Sequence, residues 1–120
     1  MPGSFYVSIT SAKDNCEKAT VGFAIANVAV ASGKDTMVFL SIEGVRLSQK
    51  GYADGLHEQG FPPLKELIEN FAKAGGKIYV CPVGFKNRGL AENNLVAGAT
   101  ITGAAKLVEF LSGGAPCVSY

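Results

Sequence analysis

The sequence has no excess of one charge. Lysine plus arginine number 11 and aspartate plus glutamate 10, a formal net charge of +1. Non-specific nucleic-acid binding needs a basic footprint, so that class of function is not expected. Long apolar runs are missing too. The longest, Val21 to Ala31, is broken by Asn27 and falls short of the ~20 apolar residues a membrane span requires. The opening "MPGSFYVSIT" lacks a basic region followed by an apolar one, so no secretory signal is expected and the cytoplasm is the expected compartment. The three cysteines, Cys16, Cys81 and Cys117, are an odd number, which argues against a closed disulfide framework.

Several chemical signatures are also absent. There is no CxxC, no HxxxH and no close cluster of His, Cys and carboxylate, so neither a metal nor a bound cofactor is expected. GxGxxG and GxxxxGK phosphate loops do not occur, and neither does the GxSxG elbow of serine hydrolases. With no internal repeat, low-complexity tract or linker, residues 1–120 read as a single domain, long enough for one core and too short for two.

What is present alternates between two periodicities. "SFYVSIT" is rich in β-branched and aromatic residues and reads as a first strand. "EKATVGFAIANVAVASG" follows as a helix. Asp14 or Asn15 is its candidate cap, Glu17 completes a capping box if Asp14 serves, and Gly33 ends it. Apart from Asn27 the helix is apolar nearly all round, so it must be covered on more than one side. "KDTMVFLSI" has the continuous apolar core of a strand buried on both faces. "EGVRLSQKGYADGLHEQGFPP" is a glycine-punctuated connection with a helical turn expected near Val45 to Lys50; connections of that length are usually functional or mobile. In "PPLKELIENFAKAGG", Leu64, Leu67, Ile68, Phe71 and Ala72 mark one face of a helix that starts at proline and stops before Gly75. "KIYVC" is a third strand, "GATIT" a short edge strand, residues 103–112 another helix and "APCVSY" a closing strand.

Strands alternating with helices imply βαβ units. The expected fold class is α/β, a three-layer α/β/α sandwich with a mostly parallel four- to five-stranded sheet. Sites in such sheets form beyond the carboxyl ends of the strands. That topology gathers Cys81, Cys16, Glu43 and Arg46 at one rim. Cys81 ends its strand and precedes a loop, "CPVGFKNRG", in which Gly84 and Gly89 permit close backbone approach and Lys86 and Arg88 favour a thiolate. It also reads as a small apolar side chain at a core edge, and the residues alone leave both readings open. Cys16 lies in a first helical turn, where the macrodipole favours a thiolate, although a small residue is tolerated there for no chemical reason. Cys117 is expected in the core. His57, the only histidine, is read as a solvated loop residue.

The order of "FYVSIT", "VFLSIEGVRLSQKGYADGL", "FPPLKELIENFAKAGGKIYVCP", "FKNRGL" and "GATITGAAKLVEFL" resembles the DsrE/DsrF-like family of small sulfur-relay proteins, in particular the subgroup labelled predicted peroxiredoxins. The resemblance spans nearly the whole chain and rests on segment order, not on one motif. It implies a parallel five-stranded α/β/α fold, assembly into homotrimers or homohexamers, and a persulfide carried on the cysteine matching Cys81. The partners it implies are a sulfur donor or acceptor protein, or a small persulfide. Glu43, Arg46, Gly84, Lys86, Arg88 and Cys16 are then candidates for binding substrate or stabilising the thiolate. Some relatives carry CPxC, but here Gly84 holds the second position, so no dithiol forms within the loop. Cys16 would resolve a Cys81 intermediate only within about 7 Å, Cα to Cα. A thiol peroxidase, and a small-ligand or nucleotide module with a lid around Tyr52 and His57, are the competing readings.

Overall fold

Five segments of the chain form one sheet in which every pairing is parallel. The structure, a computed structural model, describes residues 3–120. Strands β1 (Ser4–Ile9), β2 (Asp35–Leu40), β3 (Lys77–Val80), β4 (Ala99–Ile101) and β5 (Cys117–Ser119) lie in the order β4-β3-β2-β1-β5. The helices are α1 (Cys16–Ala31), α2 (Leu64–Lys73), α3 (Pro82–Asn87) and α4 (Ala104–Ser112). The α/β/α sandwich expected from the alternating periodicities is the observed fold, with a sheet that is parallel throughout.

The two faces of the sheet are covered unequally. Val7, Ile9, Val38, Leu40, Ile78 and Val80 point to the side of α1, α2 and α3, where they join Phe23, Phe71 and Phe85 in the main core. Alternate residues Tyr6, Met37 and Phe39 point the other way, where Leu107, Phe110 and Leu111 of α4 cover them and Tyr79, Cys81 and Ala115 pack alongside. No residue of α4 is fully buried. The first three crossovers all advance in one direction across the sheet and share a face, whereas the α4 crossover returns to the far edge.

The covering that α1 requires comes in part from within the chain. One side packs on β1 and β2, and another meets α2 through Phe23 and Phe71, whose rings stand edge to face with centroids 6.1 Å apart. Asn27 explains its own presence in an apolar helix. Its side-chain amide donates to the Phe23 carbonyl at 2.9 Å and to the Leu67 carbonyl of α2 at 3.0 Å, tying the two helices together. Val28 remains exposed.

Several local expectations are corrected. Of the two expected α1 cap candidates Asn15 serves, its side chain accepting from the Lys18 amide at 3.1 Å; Asp14 accepts from the Ala12 amide, so the capping box that depended on it does not form. Strand β3 stops at Val80, one residue before Cys81, and the glycine-containing segment after it is helix α3, not a loop. Cys117 is exposed, because β5 is an edge strand three residues long over which α4 closes only partly. The turn expected near Val45 to Lys50 is a 3₁₀ segment, Ile42–Ser48, that begins earlier.

That segment is pressed against the end of β1. The Ile9 carbonyl accepts from the Ser41 amide at 3.2 Å, and a side chain at Gly44 would be driven into the same carbonyl. The obstacle is backbone, which cannot swing aside. Gly44→Ala should therefore destabilise the fold by about 1–3 kcal/mol or more, the range for overpacked sites, measured as a shift in the urea midpoint. An unchanged midpoint would mean that this contact is loose.

Candidate functional site

Cys81 belongs to two elements at once. Its amide donates to the Leu40 carbonyl at 3.0 Å, extending the β2–β3 pairing by one residue, and its carbonyl accepts from the Phe85 amide at 3.0 Å, opening α3. It is thus the N-cap of α3, and Pro82 takes the first helical position, where a missing N–H costs nothing. The amides of the next residues have no acceptor within the helix. The thiol is a free one, partly buried, and it packs on the edge of both cores. It is therefore neither enclosed among aliphatic side chains nor stranded on the surface.

The 3₁₀ segment Ile42–Ser48 supports α3 from the side. Gly84 is the point of closest approach. A Cβ there would lie 3.3 Å from Val45 Cγ1, tighter than ordinary packing, and 3.5 Å from the Arg88 guanidinium, an ordinary contact. The chain reaches this position through Ile42, whose φ of 56° lies in the left-handed region. A β-branched residue there is strained by about 1–3 kcal/mol and persists only where its surroundings over-determine it. Ile42, in the 3₁₀ segment, is 58% exposed and Val83, in the first turn of α3, is 66% exposed, so each of the two elements carries an exposed apolar side chain.

Glu43 binds both neighbouring arginines. One carboxylate oxygen accepts from Arg88 Nε at 2.7 Å and the other from Arg46 Nε at 2.9 Å. Arg88 also donates to the Gly84 carbonyl at 3.2 Å, one turn back in α3. Arg88 is therefore committed to holding α3 against the 3₁₀ segment. Lys86 is exposed and forms no ion pair among the described residues. The structure thus brings Glu43, Arg46, Gly84 and Arg88 together beside the helix that Cys81 caps.

Cys16 stands apart from this group. It is half-buried at the start of α1, with its sulfur 3.8 Å from the Thr20 hydroxyl and no disulfide. Strand β2 lies between β1, which precedes Cys16 by a loop and a short 3₁₀ turn, and β3, which ends next to Cys81. His57 is exposed, its ring 2.6 Å from the Phe61 carbonyl of its own loop. The Tyr52 hydroxyl accepts from the Lys13 amide at 3.3 Å, and the Lys13 ammonium lies 4.7 Å from the Tyr52 ring centre. These contacts fasten the connection to the loop after β1. Among the described residues, no group of three or more His, Cys, Asp or Glu lies together as a metal site, and no helix is long and apolar enough to cross a membrane.

Sequence reasoning missed the Glu43–Arg88 pair, which joins residues 45 apart, and the strain at Ile42. No periodicity marks either. Glycine at 44, two places after Ile42, was the one available sign that backbone crowds there.

Comparison with known proteins bears on this arrangement. The profile of the DsrE/DsrF-like family matches residues 4–118. The chain is 35% identical over 107 residues to the uncharacterized protein MJ0760 of Methanocaldococcus jannaschii, covering 89% of this chain but 39% of that one. It is 30% identical to the uncharacterized protein MJ0989 of the same organism, over 89% of this chain and 90% of the relative. The chain thus spans about two fifths of the first relative and most of the second. Among solved structures, the YchN protein of E. coli is similar over the full length of both chains with a TM-score of 0.81 and 15% identity. MTH1491 of Methanobacterium thermoautotrophicum matches over the same extent at 0.72 and 10%. At those identities the likeness concerns the fold.

The Glu43 pairing has a pH signature. Arg88 first, and Arg46 second, hold its carboxyl below the ordinary glutamate value of 4.5. A lowered folded value means that the ionised form stabilises the fold. That contribution is complete above the ordinary value and is lost as pH falls through the lowered one. Glu43→Gln should therefore melt at a lower temperature than the wild type at neutral pH, with the gap closing in acid below the ordinary glutamate range. A gap that did not change with pH would assign the loss to packing.

Proposed function

This chain belongs to the DsrE/DsrF-like family, and on that premise we propose that it is a sulfur carrier of the cell interior, holding sulfane sulfur as a persulfide on Cys81. Family membership points to sulfur relay. The observation that carries the finer reading is the position of Cys81: half-buried, free, and at the carboxyl end of a parallel strand where it opens a helix.

The chemistry is an exchange at sulfur. The Cys81 thiolate attacks the outer sulfur of a donor persulfide, R–S–SH. A new S–S bond forms on Cys81, the donor's S–S bond breaks, and the donor leaves as a thiolate. In the second step an acceptor thiolate attacks the outer sulfur on Cys81, which leaves as thiolate again. Sulfur and its proton move together, no net oxidation occurs, and neither step calls on a metal or cofactor.

Partial burial suits a carrier. A persulfide that was fully open to water would be lost to any passing thiol, and a sealed one could not be handed over. Ile42 and Val83 give the rim an apolar border, which favours a protein donor or acceptor over a small polar persulfide. Gly84 in place of a second cysteine leaves the site with one thiol and no local resolving partner. Lys86 offers an unpaired cation at the same rim for a partner's carboxylate.

Self-association is part of the same proposal. A homotrimer or homohexamer would cover apolar side chains such as Val28 on α1 and Val108 on α4, both exposed in the single chain. Light scattering should give a mass above that of the monomer at micromolar concentration; a stable monomer would remove this part of the reading. For the carrier itself, incubation with a persulfide donor followed by whole-protein mass measurement should show a gain of one sulfur atom. Cys81→Ser should abolish the gain, whereas Cys16→Ser and Cys117→Ser should keep it. No gain in the wild type, or an equal gain in Cys81→Ser, would rule the proposal out.

A further inference from the structure

A cleft of about 350 Å³ opens between α2 and the segment ahead of β4, on a different part of the surface from the thiol. Small-molecule sites generally occupy about 300–1,000 Å³, so the volume suits a compact ligand. Its floor is core. Leu47, Ala53 and Ile68 are each buried on one side in the main hydrophobic cluster and line the cleft with the other.

The walls are held in place by hydrogen bonds between their own segments. One wall is the end of the 3₁₀ segment and the turn after it; the other is Val96 and Ala97. The Gln49 side chain donates to the Ala91 carbonyl at 3.1 Å and accepts from the Ala91 amide at 3.0 Å. The Lys50 amide donates to the Asn94 carbonyl at 2.9 Å, and the Val96 amide donates to the Ser48 carbonyl at 2.8 Å. Two segments more than 40 residues apart are thus stitched along the cleft. A long glycine-containing connection would otherwise be free to close it.

The rim carries charges of both signs. Lys50, Lys65, Asp54 and Glu69 surround the apolar floor, two of each sign. The one ion pair among them joins Lys65 to Asp54 at 3.7 Å, with both side chains more than half exposed, and pairs of that kind contribute little. Lys50 and Glu69 form no ion pair among the described residues. A polyanion such as a nucleotide would meet two carboxylates here, and a polycation two lysines. A molecule with one charge of each sign and an apolar body would satisfy floor and rim together.

We propose that this cleft binds a small zwitterion with an aliphatic body, of the class of apolar amino acids and dipeptides. Its carboxylate faces Lys50 and its ammonium faces Glu69. This site does not depend on the persulfide chemistry of Cys81, and either assignment can fail without the other.

The test is a titration of the nitrogen-15-labelled full chain with L-leucine, monitored by amide chemical shifts. Isocaproate, isoamylamine and ATP serve as comparison probes. Saturable shifts are expected at residues of the cleft walls, with each singly charged analogue weaker by up to about fivefold, the worth of one exposed ion pair. ATP should produce no saturable shift there. Ala97→Trp, a change at an exposed wall residue, should fill the cleft and abolish the response while leaving the fold's spectrum intact. Lys50→Glu should weaken leucine and isocaproate and leave isoamylamine bound. The proposal is overturned if leucine gives no saturable shift, if all probes bind alike, or if Ala97→Trp still responds. Wall shifts that depend on protein concentration without ligand would also overturn it, since a second copy would then be the occupant.

Discussion

A parallel strand pair cannot be closed by a tight turn, and that constraint arranges everything else in this chain. Each strand must be followed by a crossover long enough to return to the starting end of the sheet. Three successive crossovers advance in the same direction, so α1, α2 and α3 share one face and form a thick core there. The single long return through α4 leaves the other face to one short helix. Every strand also delivers its exit loop to the same edge. Cys81 lies on that edge, at the seam between the thick and thin sides, and touches both.

Seen from that edge, the electrostatics serve position more than charge. Arg88 has the right sign to draw an anion, but its guanidinium is spent on Glu43 and on the Gly84 carbonyl. The pair ties α3 to the 3₁₀ segment that leaves β2. Crowding from Gly44 and the left-handed turn at Ile42 bring that segment close enough for the bond to form. Strain in one residue and a bridging carboxylate in the next therefore fix the first turn of the helix that Cys81 caps. Lys86, on the same helix, is exposed and forms no ion pair among the described residues.

The parts of this arrangement that follow from periodicity were legible in the sequence. Continuous apolar runs marked β2 and β3, the Leu64–Phe71 face marked α2, and the alternation of the two predicted a parallel sheet with one functional edge. Composition misled where tertiary contact decides. "CPVGFKNRG" looks like a loop because it contains two glycines, yet Phe85 anchors it in the core and it winds into a helix. Cys117 looks like core because it sits among apolar neighbours, but an edge strand half-covered by α4 leaves it open. The bond from Glu43 to Arg88 has no signature in either local sequence, since its two ends meet only after the sheet is built.

The thin layer over Tyr6, Met37 and Phe39 has a thermodynamic meaning of its own. Free energies of local opening vary across a protein, and the lowest belong to units with little buried apolar area and short hydrogen-bonded ladders. Here α4 has no fully buried residue, and β4 and β5, the strands it connects, are three residues each and lie at opposite edges. By that criterion α4 is the least anchored of the helices, although β4 and β5 also lend Ala99, Ile101 and Val118 to the main core. Cys81 packs against the Tyr6, Met37 and Phe39 cluster that α4 covers, so the least buried layer of the fold is also one that borders the thiol.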